Sequence, residues 1–170
     1  DKIKSVLPLT KYNLLASNVH IAPNSAWFNT VKPATVEVCN GNKYGIIGTS
    51  PIDLYKRSKV GVLQKEVQVD KVKETIQDIQ KEADKLQKQG INKIILLSHL
   101  GYTLDKIVAN QTQGIDVILG GHSHDLLLDV KEGENLFYSK TGEPVVITQA
   151  GRDGKNFGIL NLEFSSDGII

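Results

Sequence analysis

Apolar residues in the middle of the chain form two short runs, at residues 94–97 and 115–119, each bounded by turn-forming residues. Runs of this length and composition predict buried strands of a parallel sheet. Residues 103–111, which lie between the runs, have the spacing of an amphipathic helix, with apolar side chains at i, i+3 and i+4. Because a strand, helix, strand unit crosses over in a right-handed sense, the pattern predicts parallel strands and an α/β fold.

The longest periodic segment is residues 69–89, where apolar side chains recur every three or four positions. The remaining positions are mostly Lys, Glu, Asp and Gln, which belong in water. Gly90 follows directly, at the position of a C-terminal cap. The pattern predicts a long amphipathic helix that packs on the sheet and takes no part in the chemistry.

Two β-rich runs, residues 34–38 and 44–48, flank the sequence Asn40-Gly41-Asn42. Asn-Gly supplies the positive φ angles of a tight turn, so these runs predict a β-hairpin. Cys39 stands at the end of the first run, where a buried and unreactive thiol is favoured over a reactive one. As the chain has one cysteine, an internal disulfide framework is excluded.

Shorter stretches complete the predicted architecture. Residues 12–19 and 145–148 have the composition of strands, and residues 157–164 alternate between apolar and polar side chains as a half-buried strand does. Residues 125–141 contain two polar turns, which predicts a hairpin near the end of the second central strand. Residues 1–11 have a weak helical pattern that a proline stops.

Length and charge exclude several classes of function. A chain of 170 residues is long enough to bury a core as a single domain. Its formal net charge of +1, with acids and bases interspersed, gives no attraction toward nucleic-acid polymers or anionic membranes. No apolar run reaches the roughly 18 residues of a membrane span, so none is predicted.

Histidines follow both central strands. His99 comes directly after the first apolar run, and His122 and His124 follow the second after Gly120 and Gly121. Ligand sites of open α/β sheets lie outside the carboxyl ends of the strands, so the three imidazoles are predicted at one edge. Three neutral imidazoles are good ligands for Zn, Mn, Fe or Ni. The alternative is that each is an ordinary polar loop residue.

Asp105 and Asp116 lie near the same strands, but each is at the start of a structural element. Helix capping or turn formation explains a carboxylate in such a position. We therefore favour a structural role for both residues over metal binding.

The histidine motifs carry a specific resemblance. Ser98-His99-Leu100-Gly101, followed by residues 114–124 with their Gly-Gly-His-Ser-His ending, resembles the last two metal motifs of the calcineurin-like metallophosphoesterases. More narrowly, the chain looks like the branch of the 5′-nucleotidases and 2′,3′-cyclic-nucleotide phosphodiesterases. Weaker similarities in the same order extend over essentially the whole chain: Leu15-Ala16-Ser17-Asn18-Val19, Gly45-Ile46-Ile47-Gly48, and residues 146–151 and 157–160. The resemblance implies a β-sandwich flanked by helices, in which the strand, helix, strand unit carries the metal histidines.

The sequence also departs from the family. The Asp-x-His, Gly-Asp and Gly-Asn-His-Glu motifs, which lie nearer the N-terminus in the family, have no counterpart in the chain. Asn18 lacks the neighbours of the last motif and resembles instead the family's buried asparagine at a strand end. We therefore expect residues 1–170 to be the C-terminal portion of a catalytic domain, without its N-terminal metal motifs and without the family's C-terminal nucleotide-binding domain.

The resemblance implies a phosphoric ester hydrolase that acts on nucleotides through two divalent ions, Zn, Mn or Fe. Residue by residue, it assigns His99 and His122 to one ion and His124 to its neighbour. The bridging carboxylate and the protonating histidine would come from the missing N-terminal segment, so no catalytic residue is assigned in this chain, which alone is expected to be inactive. The alternative is a noncatalytic metal-binding or interaction module derived from the same fold. The family further implies a periplasmic, secreted or cell-surface location.

Overall fold

The computed structural model describes residues 12–25, 27–57 and 66–170, so the helical pattern of residues 1–11 lies outside the described residues. The strands, numbered in chain order, are β1 (Leu14–Leu15), β2 (Val19–Ile21), β3 (Val31–Lys32), β4 (Ala34–Cys39), β5 (Asn42–Thr49), β6 (Val67–Val69), β7 (Ile94–Ser98), β8 (Val117–Leu119), β9 (Leu136–Tyr138) and β10 (Pro144–Thr148). The helices are α1 (Leu54–Arg57), α2 (Val72–Lys88) and α3 (Tyr102–Gln111). Among the described residues, no helix has both the length and the apolarity to cross a membrane.

Six strands form the central sheet in the order β4-β5-β7-β8-β10-β9. The four inner strands are parallel, and the two edge strands, β4 and β9, run antiparallel to their neighbours. Two further sheets have two strands each: β1 pairs with β3 in parallel, and β2 pairs with β6 in an antiparallel sense. The mixed α/β architecture and the parallel unit β7-α3-β8 predicted from the sequence are therefore confirmed.

The core lies between the central sheet and the helices α2 and α3. Its fully buried members come from both layers and include Ile47, Ile79, Leu96, Ile118 and Ile147. Burial of an aliphatic side chain of this size contributes about 1.5–3 kcal/mol. The other face of the sheet is less well covered, because Leu97 and Leu119 at the ends of β7 and β8 remain 41% and 38% exposed.

Helix α2 begins three residues later than its periodicity predicts. Val69 belongs instead to β6, where pairing with β2 satisfies the backbone. At the other end, Gly90 takes a positive φ of 75°, and the N–H of Ile91 donates to the carbonyl of Leu86 at 3.1 Å. This is the left-handed C-terminal cap that the sequence predicts.

The predicted hairpin is formed by β4 and β5, with Cys39 opposite Asn42. Asn40 and Gly41 both take positive φ angles, 49° and 77°, as a two-residue hairpin turn requires. The prediction of a buried thiol is wrong. Cys39 is exposed, because β4 is an edge strand whose last four residues are all exposed.

Two predicted strands differ from expectation. Residues 157–164 alternate in polarity, but they have no strand partner among the described residues, and Phe157 and Ile159 are 89% and 77% exposed. Alternating polarity indicates one apolar and one polar face, as in a half-buried strand. A strand also needs an adjacent strand to pair with its backbone N–H and C=O groups, and the alternation does not supply one. Residues 12–19 contain the two residues of β1, and a turn then separates β1 from β2.

Of the hairpin predicted within residues 125–141, only β9 lies in that segment, and its partner β10 follows the segment. Tyr102 of α3 donates its hydroxyl proton to the carbonyl of Glu134, which ties this segment to the helix that follows β7. The segment therefore lies beside the strand, helix, strand unit, as the sequence predicts.

Candidate metal-binding site

The carboxyl ends of the four parallel strands meet at one edge of the central sheet. Each strand is followed, directly or within a few residues, by a polar side chain: Asp53 after β5, His99 after β7, His122 after β8 and Gln149 after β10. Ligand sites of open α/β sheets lie at this edge. The strand order therefore brings together residues that are far apart in the sequence.

His99 and His122 lie against each other. Their ring centroids are 5.2 Å apart, with an interplanar angle of 69°. Nε2 of His122 lies 3.5 Å from Oδ1 of Asp53, and the side chains of these two residues are 17% and 28% exposed. His122 thus neighbours both the His99 ring and the Asp53 carboxylate, although the ligand atoms of these three side chains do not all lie within 4.8 Å of one another. Imidazole and carboxylate donors suit Zn²⁺, Mn²⁺ or Fe²⁺.

The backbone of the histidine loop holds these side chains in a strained conformation. His122 and His124 have positive φ angles of 76° and 64°. A residue with a Cβ is destabilised in this region by roughly 1–2 kcal/mol. The loop also depends on a close approach at glycine, because a Cβ added at Gly121 would lie 3.3 Å from Nδ1 of His99. Strained backbone of this kind is concentrated at functional sites.

The three histidines predicted from the sequence are not equivalent in the structure. The rings of His99 and His122 are in contact, whereas His124 has no ring contact with either; His99 and His124 are exposed and His122 is half-buried. The ligand atoms of all three do not lie within 4.8 Å of one another. The assignment of His99, His122 and His124 as metal ligands stays a prediction. The side chains of His99 and His122 are adjacent in the structure.

Two buried carboxylates stabilise the strands that carry the histidines. Asp105, in the first turn of α3, accepts a hydrogen bond from the hydroxyl of Ser98, and the Ser98 oxygen accepts from the N–H of Leu100 at 3.1 Å. Asp116 accepts from the backbone N–H of Ile94 at 2.7 Å, which links the segments where β7 and β8 begin. Burial raises the pKa of Asp105 to about 6 and the pKa of Asp116 to about 7. Both residues thus make structural hydrogen bonds, although these link neighbouring segments and are not the helix cap or turn that the sequence suggests.

Gln149 fixes the histidine loop from the neighbouring strand β10. Its side chain is buried, with Oε1 accepting from the backbone N–H of Asp125 at 2.7 Å and Nε2 donating to the carbonyl of Gly121 at 3.3 Å. The Ser123 hydroxyl accepts from the backbone N–H of Tyr102 at 2.9 Å. The loop is thereby tied both to β10 and to the start of α3.

Asp53 and Gln149 are residues of this edge that the sequence pattern does not identify. The available signal is positional, because each residue follows the carboxyl end of a strand in the parallel part of the sheet. Residues 44–48 have the pattern of a hairpin strand, and nothing in that pattern indicates that β5 also pairs in parallel with β7. Without this pairing, the position of Asp53 beside His122 cannot be derived.

No family model matches the chain, but it is similar in sequence to several named proteins. It is 31% identical over 178 aligned positions to the snake venom 5′-nucleotidase of Naja atra, an alignment that covers 97% of the chain and 32% of the relative. The chain spans 25% to 32% of the length of the curated relatives that match most of it.

Solved structures have the same architecture. The 5′-nucleotidase precursor from Thermus thermophilus matches with a TM-score of 0.86 and 29% identity, over 98% of the chain and 33% of that structure. A calcineurin-like phosphoesterase from Bacillus subtilis matches with a TM-score of 0.60 over 87% of the chain and 49% of that structure. At 22% identity, this second likeness shows the fold alone.

Proposed function

Because the chain belongs to the calcineurin-like phosphoesterases, in the branch of the 5′-nucleotidases, we propose that it is part of a metal-dependent enzyme that hydrolyses phosphoesters of nucleotides. The observation that carries this proposal is the position of His122 at the carboxyl edge of the sheet, in ring contact with His99 and 3.5 Å from Oδ1 of Asp53. A nucleotide phosphate is an anion, so its hydrolysis requires neutralisation of the phosphoryl oxygens and a supply of hydroxide near neutral pH. An edge with imidazole and carboxylate donors attracts the cations that serve both needs.

His99 and His122 would hold one divalent ion, Zn, Mn or Fe, through their ring nitrogens, and His124 would contribute to a second ion. Divalent ions supply Lewis-acid polarisation and lower the pKa of water toward neutrality, and the proposed nucleophile at phosphorus is water. The remaining residues orient these ligands. Gln149 fixes the loop that carries His122, and Asp53 adds negative charge 3.5 Å from Nε2 of that histidine.

We further propose that the chain is the C-terminal portion of the catalytic domain and is inactive by itself. The chain has four histidines, so once three are metal ligands the remaining one is His20 on β2, which leaves no histidine at the edge as general acid. Exposed apolar side chains also support an incomplete domain, because Leu97, Leu119, Phe157 and Ile159 form surfaces that folded proteins usually cover. A preceding segment of the same domain would cover these surfaces and supply the bridging carboxylate and the general acid.

The proposed substrates are nucleotides, and the proposed location is periplasmic, secreted or at the cell surface. The relatives that match most of the chain are named 5′-nucleotidases. One of them is a venom enzyme, and the Thermus thermophilus protein is described as a precursor. Both descriptions support export, and we extend them to this protein as part of the proposal.

A chimera tests the proposal directly. Residues 12–170 would replace the corresponding third of the Thermus thermophilus 5′-nucleotidase, and hydrolysis of 5′-AMP and bis-p-nitrophenyl phosphate would be measured with Mn²⁺ or Zn²⁺. We expect activity in the chimera and none in the isolated chain. Because His122 would be a metal ligand, His122→Ala should lower the rate at least about tenfold. Asn110→Ala, at an exposed position of α3, is the matched control and should retain the activity.

A folded chimera that binds metal but hydrolyses neither ester would contradict the enzymatic proposal and would instead support the noncatalytic module. Equal activity of the His122→Ala chimera would contradict the assignment of this residue. Hydrolysis by the isolated chain would contradict its proposed inactivity but not the family function.

A further inference from the structure

A second group of ligand side chains lies outside the histidine edge. His20 is on β2, Asp70 follows β6, and Asp78 is on α2. Nε2 of His20 is 2.5 Å from Oδ2 of Asp70 and 3.6 Å from Oδ2 of Asp78. Among the described residues, this is the single group of three or more His, Cys, Asp or Glu side chains whose ligand atoms all lie within 4.8 Å of one another.

The backbone positions of this cluster are fixed by three packed elements. Strands β2 and β6 are antiparallel, and the N–H of Asp70 extends their pairing by donating to the carbonyl of Asn18 at 3.0 Å. Asn18 is fully buried, as predicted, and its side chain exchanges hydrogen bonds with the backbone of Ser50 at 2.8 and 2.9 Å. Asp70 is separated from the first residue of α2 by one position, and Asp78 is on the same helix. The cluster is therefore built from ordered backbone and does not depend on a loose surface loop.

The charges of the cluster favour a cation. Burial raises the pKa of Asp78, and the neighbouring Asp70 carboxyl raises it further through a hydrogen bond and its charge. His20 and Lys81 act in the opposite direction. A divalent ion beside the two carboxyl groups would offset their repulsion.

We propose that His20, Asp70 and Asp78 bind one divalent transition-metal ion, at a site separate from the histidine edge and independent of the proposed function. A donor set of one imidazole nitrogen and two carboxylate oxygens suits Zn²⁺ or Co²⁺ better than Mg²⁺ or Ca²⁺, which prefer oxygen ligands alone. The bound ion would join the β2-β6 pair to α2. Water would fill the remaining coordination position, since the His20 side chain is 53% exposed.

The observed distances fit this ion after one small movement. Metal bonds of 2.0–2.1 Å in a tetrahedral site place neighbouring ligand atoms about 3.3 Å apart. The separation between His20 and Asp78, 3.6 Å, is close to this value. The Asp70 oxygen, now 2.5 Å from the imidazole nitrogen, would move outward by about 0.8 Å. The Asp70 side chain is partly exposed, so a rotation of this side chain would provide the movement.

The experiment uses the 170-residue chain with His99, His122 and His124 all replaced by alanine, so that the histidine edge cannot contribute. Zn²⁺ binding is measured by competition with a chromophoric chelator, and the Co²⁺ complex is measured by its visible absorbance. We expect one equivalent of Zn²⁺ to bind. His20→Gln, Asp70→Asn and Asp78→Asn should each raise the dissociation constant at least about tenfold, since loss of a ligand costs no less than loss of its hydrogen-bond partner.

Glu74→Gln is the matched control, because it removes one negative charge from an exposed position of the same helix. This variant should keep the Zn²⁺ affinity. Broadening of backbone amide signals by Mn²⁺ provides a second readout that needs no substitution in the cluster, and it should be confined to the surroundings of His20, Asp70 and Asp78. Three results would each overturn the proposal: no Zn²⁺ bound, affinity unchanged in the three cluster variants, or an equal loss with Glu74→Gln.

Discussion

The buried carboxyl group of Asp116 makes the stability of the fold depend on pH. Asp116 is 7% exposed, and burial raises its pKa from 3.8 to about 7, against the opposing hydrogen bond from the N–H of Ile94. A raised pKa means that the folded state binds this proton more tightly than the unfolded state does. The resulting stabilisation is complete below pH 3.8 and is lost as the pH rises through 7. At about 1.4 kcal/mol per pKa unit, the loss is about 4 kcal/mol in all, of which about 2.5 kcal/mol falls between pH 5 and pH 8.

The substitution Asp116→Asn tests this reasoning, because asparagine keeps an oxygen that accepts from Ile94 but does not titrate. Urea unfolding at pH 5 and pH 8 in EDTA gives the free energies of unfolding of both proteins. We expect the free energy of the variant, relative to wild type, to rise by about 2.5 kcal/mol from the lower to the higher pH. Asp129→Asn, at an exposed position, should leave the pH dependence unchanged. If Asp116→Asn keeps the wild-type pH dependence, Asp116 is not the titrating group and the argument fails.

Four further substitutions give measurable outcomes in the same urea assay. Ile118→Ala removes a fully buried side chain and should cost about 2–5 kcal/mol, whereas Leu119→Ala, at the exposed end of β8, should cost less than about 1 kcal/mol. Similar costs would show that the two faces of the sheet are equally covered. Gln149→Ala removes the bonds to Asp125 and Gly121 and should cost about 1–3 kcal/mol, together with an approximately tenfold loss of Zn²⁺ affinity at the histidine edge. An unchanged Zn²⁺ affinity would show that Gln149 does not support metal binding at the histidine edge. Gly90→Ala places a Cβ at a φ of 75° and should lower the free energy of unfolding by about 1–2 kcal/mol. An unchanged free energy of unfolding would argue against the left-handed cap.

Local periodicity is enough to predict the central elements of this fold. The turn at Asn40 and Gly41 and the cap at Gly90 are encoded within a few residues, because each needs a positive φ that few side chains tolerate. Boundaries depend on more distant contacts. Val69 has the spacing of a helix residue, yet it pairs with Val19 in the ladder of β2 and β6, and the sequence pattern contains no information about that partner.

The candidate site shows the same division. The adjacency of His99 and His122 could be predicted because each lies within three residues of the end of a buried strand, and parallel strands end at one edge. Asp53 could not be predicted, since its position depends on β5 pairing with β7 as well as with β4. The cluster of His20, Asp70 and Asp78 needs the pairing of β2 with β6 and the packing of α2, so it has no signature in the order of residues along the chain.

Two features of the chain have energetic costs without a compensating contact among the described residues, and they point in the same direction. The positive φ of His122 costs roughly 1–2 kcal/mol, which a folded chain retains where binding at the site offsets it. Residues 157–164 alternate in polarity although the structure gives them no strand partner, and Phe157 is 89% exposed. Alternation has a physical use only when one face is buried. A cation at the histidine edge and a neighbouring strand over residues 157–164 would offset the two costs. The 5′-nucleotidases related to this chain are three to four times its length, which leaves room for such a strand.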